Sequence, residues 1–272
     1  NTGTKTDPAI KDIDLDPAKN IKNKKNIKIL LKKIVESDIQ NLEKSINNAY
    51  HEDAKLKCFH PINNISGTKD IYDKLWLPLK NSFPDLERRD SLIVGGSFQD
   101  KVFVSTISLL TGTYKQAWLG IPANNKTIHL RICEVHQIKD EKIIESHILI
   151  DVVDFIRQAG FWPFNKSNGA EGLWTAPITG DGTSFENLDK KLSISSLEQA
   201  LTMQRSLNIK PESDANADHD YVRNKLMNHP QKEFWHEKMM WYGPSGIGTA
   251  RGLEGFVNHH QLPFRMTFRD RD

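Results

Sequence analysis

Four strand candidates follow in a row in the middle of the chain, Glu87–Val94, Lys101–Thr113, Thr127–Ile138 and Lys142–Asp151, and the last alternates between its two faces. A period of two predicts strands. The links between them carry turn residues, Gly95-Gly96, Gly120 to Asn125, and Lys139-Asp140-Glu141. Consecutive strands with short links predict antiparallel meander pairing. Ahead of them the period lengthens. Ile27, Leu30, Leu31, Ile34, Ile39, Leu42 and Ile46 recur near 3.6 and predict a helical region over Ile27–Tyr50, with Ser37 capping a restart. A turn containing His60-Pro61 follows, then a helix over Ile71–Trp76 that kinks or restarts at Pro78. Helices first and strands after predict an α+β domain, with N-terminal helices packed on one face of a curved antiparallel sheet. The face left uncovered, carrying Ile144, Ile148 and Ile150, is expected to dock on another domain or chain.

The last strand runs straight into a short helix. Glu145, His147, Leu149 and Asp151 share one strand face, and from Val152 the apolar residues Phe155, Ile156 and Ala159 follow helical spacing up to Gly160. A carboxylate at a strand end, with a histidine on the same face, is the foremost candidate for chemistry. The same Asp151 is also a good helix N-cap, with Asp154 three residues on. Both readings stand on the residues alone. Arg131 and Glu145 are expected to pair across adjacent strands.

Displaced by 185 positions, Tyr50–Asp85 aligns with Trp235–Asp270 without a gap. His51-Glu52 meets His236-Glu237, Gly67 meets Gly252, Leu77-Pro78-Leu79 meets Leu262-Pro263-Phe264, and Phe83 meets Phe268. The expected organisation is a flexible arm over 1–26, a first domain over 27–164 and a connection over 165–215 rich in Gly, Ser and Asn. The N-terminal part of a second, truncated copy follows over 216–272. The repeat also disposes of Gly246-Ile-Gly248-Thr-Ala-Arg-Gly252 as a dinucleotide loop, since the matching place in the first copy keeps Gly67 alone.

Composition narrows the field. The chain has 272 residues, 26% of them charged, and a formal net charge of +2, which gives no general preference for nucleic acid. Seven lysines between Lys19 and Lys33 read as a solvated helix face. No apolar run reaches the ~18 residues of a membrane span. Two cysteines, Cys58 and Cys133, imply no disulfide framework, and a reducing, cytoplasmic setting is the default. The chain starts at Asn1 without a methionine, so it reads as a piece of something longer, and the lack of a signal peptide carries little weight. Ten histidines without a His-Glu-x-x-His spacing give no metal signature, and no cofactor is expected.

Phe83-Pro84-Asp85, Leu119-Gly120-Ile121-Pro122, Leu130-Arg131-Ile132, Lys142-Ile143-Ile144-Glu145, Asp151 and Arg157-Gln158-Ala159-Gly160 together resemble the SnoaL-like polyketide cyclases of the NTF2-like superfamily. The opening of the second copy is similar to domains of that family that occur in tandem. The resemblance implies a cone with an apolar pocket between helices and sheet. It implies cofactor-independent ring closure or isomerisation of a small apolar carbonyl compound. Asp151 matches the acid/base aspartate of that family, with His147 beside it. Burial would raise the pKa of such a carboxylate and let it take a carbon-bound proton. His60, Trp76, Trp118 and Glu134 are the expected pocket residues. The partners expected are a small substrate and either an intrachain pseudo-dimer or a homodimer, with no nucleic acid and no membrane. The alternative is a non-catalytic ligand-binding or assembly module of the same fold.

Overall fold

The first strand of the fold is one that sequence periodicity does not announce. In a computed structural model describing residues 16–172, 174, 180–185, 189–207 and 216–269, β1 (Tyr50–Cys58) leaves helix α2 directly. Two helices precede it. Helix α1 (Pro17–Glu36) begins ten residues before the apolar stripe, because Asp16 accepts from the N–H groups of Ala18 and Lys19 and Pro17 occupies the first turn. Part of the expected arm is thus helical. Helix α2 (Ile39–Ala49) restarts where expected, but Asp38 is its cap, at 2.8 Å from the Asn41 N–H, while Ser37 ends α1. The buried stripe of the pair is Ile27, Leu31, Ile34, Leu42 and Ile46.

Strand β1 pairs with the short β2 (Asn64–Ser66) across the loop that holds His60-Pro61. Gly67 then takes φ +82, where a side chain would be strained, and turns the chain into α3 (Thr68–Ile71). A π-helical turn over Tyr72–Trp76 separates α3 from α4 (Leu77–Ser82). Pro78 is the physical reason: it offers no N–H, its ring would strike the carbonyl one normal turn back, and the widened turn relieves that clash. The expected kink is therefore a π-turn.

Strands β3 (Glu87–Phe98), β4 (Lys101–Thr113), β5 (Thr127–Lys139) and β6 (Lys142–Ile150) follow as an antiparallel meander. The complete sheet has the order β2-β1-β6-β5-β4-β3, with β1 parallel to β6. Register shifts in β3, in β1 and between β5 and β6 bend it. One face carries Val104, Leu110, Ile128, Ile132, Ile148 and Ile150, all in one core with the helices. This corrects the expectation for β6: Ile148 and Ile150 lie under the helices, and Glu145, His147 and Leu149 face outward. Helix α5 (Val152–Ala159) ends at Gly160, whose φ of +105 forms the left-handed cap.

The chain divides into two compact units, Asn1–Phe161 with Ala176–Ser193, and Trp162–Thr175 with Ile194–Asp272. Within the first unit, Gly182 accepts from the Ile93 N–H and Phe185 lies under Lys24 and Lys28, so part of the lysine-rich face covers an aromatic ring. After α6 (Lys190–Leu207), the second unit contains α7 (His219–Met227), the pair β7 (Met240–Trp241) and β8 (Ala250–Arg251), and α8 (Gly252–Phe256). A π-turn over Val257–Gln261 and α9 (Leu262–Thr267) complete it. Here Glu171 holds the glycine-rich loop, accepting from Ser245 Oγ at 2.6 Å and the Gly246 N–H at 2.8 Å. Among the described residues, no helix is long and apolar enough to cross a membrane.

The core assignment predicts a contrast on α2. Ile46→Ala removes a fully buried side chain and should lower unfolding stability by ~2–5 kcal/mol. Ile39→Ala, at a side chain 45% exposed, should change it by less than ~0.5 kcal/mol. Urea unfolding followed by circular dichroism measures both.

Candidate active site

Polar residues occupy the centre of the covered sheet face, where alternation would place apolar ones. Arg88 and Asp90 come from β3, Thr106 and Ser108 from β4, Glu134 and His136 from β5, and Ser146 from β6. Register brings them together: Thr106 lies opposite Glu134, Asp90 opposite Ser108, and His136 opposite Ser146. Arg88 is the hub. Its Nη2 donates to Glu134 Oε2 at 2.6 Å, Thr106 Oγ1 at 2.9 Å and Ser108 Oγ at 2.9 Å, and its Nε donates to Asp90 Oδ1 at 2.7 Å. Thr106 Oγ1 donates to Glu134 Oε2 and Ser108 Oγ to Asp90 Oδ1. Arg88 and Glu134 side chains are both 0% exposed.

Four buried atoms around this hub have no hydrogen-bond partner: Arg88 Nη1, Glu134 Oε1, His136 Nε2 and Tyr50 Oη. Buried polar atoms are rarely left so, and a group of them calls for a functional explanation. His136 is oriented through Nδ1, which lies 2.7 Å from Ser146 Oγ, and its Nε2 stands 3.8 Å from Glu134 Oε1.

The electrostatics give each group a defined state. Burial pushes the His136 pKa down to about 4, Glu134 opposing and Arg88 assisting, so the ring is neutral at pH 7. Burial alone would raise the Glu134 carboxyl, but Arg88, His136 and the hydrogen bonds overcome it and hold the group below its usual value, ionised. Tyr50 is pushed upward by burial and keeps its proton. Cys58, on β1, is pushed up to about 12 by burial and stays a thiol. Among the described residues, no group of three or more His, Cys, Asp or Glu side chains could share a metal ion.

The residues singled out from the sequence are dispersed. Glu134 is in the cluster. Asp151 is the N-cap of α5: Oδ1 accepts from the Asp154 N–H at 2.9 Å, and Oδ2 accepts from Arg131 Nη2 at 2.5 Å. Arg131 thus serves Asp151 and not Glu145, which takes Lys57 at 2.7 Å and His147 at 2.9 Å. His147 stands on the outer face, its side chain 55% exposed, on the opposite side of the sheet from Glu134. His60 is exposed within the β1–β2 loop. Trp76 is buried on the π-turn with Nε1 unpartnered. Trp118 is buried with Phe59 and Phe155 in an aromatic group that includes Tyr114 and Phe83, beyond the end of β4. Thr113 faces Thr127 at that end of the ladder, whereas Thr106 faces Glu134 seven residues along β5. That separation is ~23 Å of strand.

The residues missed are Arg88, Asp90, Thr106, Ser108, Ser146 and Tyr50. One signal was available: polar residues at i and i+2 in three successive strands. Its meaning depends on which strand face is covered.

Residues 35–159 match the family described as SnoaL-like polyketide cyclase. No curated protein matches the chain. Similar solved structures include a protein of Jannaschia sp. CCS1 named a SnoaL-like polyketide cyclase. It is 14% identical, with a TM-score of 0.45, over 53% of this chain and 95% of that one. IdmH of Streptomyces antibioticus, named a polyketide cyclase, is 16% identical, with a TM-score of 0.43, over 54% and 99%. A protein of Catenulispora acidiphila with a ketosteroid isomerase-like fold is 10% identical, with a TM-score of 0.39, over 50% and 92%.

The cluster predicts acid sensitivity of defined sign. His136 takes its proton near pH 6.5 when unfolded but only near 4 when folded. Between those values the unfolded chain binds more protons, so stability falls as pH drops through that window. The His136 share of the loss should reach ~3 kcal/mol below pH 4. Glu134, held low in the fold, adds loss in the same direction at lower pH. Urea midpoints measured from pH 7 to pH 4 should fall for the parent and stay flatter for His136→Asn.

Proposed function

Residues 35–159 match the model of the SnoaL-like polyketide cyclase family, and we propose that this domain is a cofactor-independent cyclase or isomerase. Its reaction is centred on Glu134 and not on Asp151. The observation that supports this is the set of unpartnered polar atoms on the covered sheet face: an acceptor on Glu134 and donors on Arg88 and Tyr50. The Asp151 carboxylate is engaged with Arg131 and the backbone of α5.

The arrangement suits proton transfer at a carbon flanked by carbonyl groups. Glu134 is a weak base, because Arg88 holds its pKa low. It therefore fits a substrate whose carbon-bound proton is already acidic, such as a β-keto ester or a β-dicarbonyl polyketide. In this reading Glu134 Oε1 takes the proton and the C–H electron pair moves into the enolate. Arg88 Nη1 and the protonated Tyr50 hydroxyl hydrogen-bond the oxygen that gains charge. The enolate carbon attacks a second carbonyl of the same molecule, and the proton held on Glu134 passes to the new alkoxide. Neutral His136 orients the substrate through Nε2. Exposed Val94, Val135 and Leu149 on the outer sheet face supply an apolar surface for pairing with another copy.

The second reading, a ligand-binding module without turnover, is favoured by one feature. Arg88 and Glu134 are fully enclosed, so a substrate has to open the helix-covered side to reach them.

A screen of β-keto esters and other enolisable compounds tests these readings. Glu134→Gln should lower turnover by ~100-fold or more, the usual scale for loss of a general base. Asp151→Asn should stay within a few-fold of the parent. Thermal melts of each variant separate loss of chemistry from loss of fold. Turnover lost with Asp151→Asn and kept with Glu134→Gln would return the acid/base role to the strand-end aspartate. Binding without turnover in the parent would favour the ligand-binding module.

A further inference from the structure

Residues 162–175 belong to the second unit, and part of that stretch pairs with its glycine-rich loop. Ala170 forms an antiparallel bridge with Thr249. Its N–H donates to Thr249 O at 2.9 Å, and the Thr249 N–H donates back to Ala170 O at 2.8 Å. The Gly169 N–H donates to Ile247 O at 2.9 Å. The Glu171 carboxylate then accepts from Ser245 Oγ at 2.6 Å and from the Gly246 N–H at 2.8 Å, with Ser167 Oγ donating to its Oε1. Ser245 and Thr249 are 7% and 4% exposed, so the loop presents these groups from a packed surface. The two backbones lie too close for a side chain between them. A Cβ on Gly169 would stand 2.7 Å from Thr249 O, and one on Gly248 would stand 2.6 Å from the Gly169 carbonyl carbon. Beyond this contact Trp174 packs against Tyr242, with ring centroids 5.5 Å apart.

The first unit carries the same hairpin 185 positions earlier. Lys55 pairs with Ser66 and Leu56 with Ile65, as Met240 pairs with Arg251 and Trp241 with Ala250. The Gly67 N–H donates to Ala54 O, and the Gly252 N–H to Met239 O. Backbone groups point to alternate sides along a strand, so those of Asn64 and Thr249, each three positions before that glycine, point away from the hairpin partner. In the second unit Ala170 meets them. Around this shared edge His60–Asn64 corresponds to Ser245–Thr249, and three of the exchanges each suit the segment 169–171. Ser245 stands at the place of His60 and brings a hydroxyl to Glu171. Gly246 stands at the place of Pro61 and brings an N–H that proline lacks. Gly248 stands at the place of Asn63 and carries no side chain to strike Gly169. Asn63 and Gly248 both have positive φ, +59 and +90, so the turn of the backbone is common to the two.

We propose that the loop 243–249 is a peptide-docking site that reads an extended Gly-Ala-Glu sequence, with residues 169–171 of this chain as its occupant. Main-chain bonds to a strand edge supply affinity. Two demands of fit supply selectivity: no side chain at the first position, and a carboxylate at the third. The glycine spacing that imitates a nucleotide loop has its physical reason here. Gly248 admits a second backbone, Gly246 offers its N–H to a carboxylate, and Glu171 takes donors that a phosphate would use. The stretch that follows the first domain is then a working part of the second unit. This inference is independent of the chemistry at Glu134.

The test releases the segment within the full chain and returns it as a separate peptide. Gly169→Val sets a side chain against Thr249 O and should free the segment, so that amide exchange at Gly246 and Thr249 speeds by about tenfold or more. A labelled peptide of residues 165–174 should then bind this variant saturably and slow both amides again. The same peptide carrying Glu171→Ala should bind about tenfold more weakly, the scale of one lost hydrogen bond to a charged group. The parent, whose own segment fills the loop, should bind the natural peptide about tenfold more weakly than the variant does. If exchange throughout the second unit shows that Gly169→Val unfolds it, Glu171→Ala in the full chain takes its place, with the same two amides and the same peptides. Unchanged exchange at Gly246 and Thr249 in both variants overturns the proposal. So does a released chain that takes no peptide, or one that binds the two peptides equally. Binding of inorganic phosphate at Gly246 in place of the peptide would make the loop an anion cradle and overturn it as well.

Discussion

The Arg88–Glu134 ion pair is the constraint on which the first unit turns. The two residues lie on β3 and β5, which are not neighbours, and their link passes over β4 through Thr106. Burying such a pair costs several kcal/mol per ion, recovered only when the hydrogen bonds around it are nearly complete. Here Asp90, Thr106 and Ser108 supply most of them. A slip of one residue on any of the three strands would turn its polar group to the opposite face and leave a bare charge inside. The pair therefore fixes register across three strands.

That constraint divides the cone into two environments. Beyond the end of β4, aromatic rings from α4, the β4–β5 loop and α5 form a dry group: Phe83, Tyr114, Phe155 and Trp118. Around Arg88 the interior is polar and keeps acceptors and donors in reserve. Two carboxylates, Asp151 and Glu134, are told apart by their surroundings. Asp151 is held by a backbone N–H and Arg131, and fixes the junction between β6 and α5. Glu134 keeps one oxygen uncommitted beside a neutral histidine. An exposed histidine such as His147, paired with Glu145 on the outer face, has no part in that interior.

The same local signals serve both units and produce different burial. Gly67 and Gly252, the two π-turns and the two Leu-Pro steps are local features, so they recur wherever the sequence recurs. Burial of Phe83 and exposure of Phe268 are decided by what packs against them, and that is not a local property.

Local patterning placed the four long strands, because its signals act on neighbouring residues, but Gly95-Gly96, expected as a turn, pairs within β3 and the chain turns at Gln99-Asp100. The restart at α2, an irregularity near Pro78 and the cap at Asp151 were legible for the same reason. Strand β1 was not: its outward Glu52, Asp53 and Lys55 follow a helix without a break, and its parallel partner β6 lies about ninety positions away. The site was half legible. Glu134 could be named, but Arg88, Asp90, Thr106 and Ser108 looked like surface residues until the helices showed which face was covered. Alternation divides a strand into two faces without saying which is inside. Only the packing of α1 and α2 onto the sheet made that choice, and with it turned ordinary polar residues into a buried charge network.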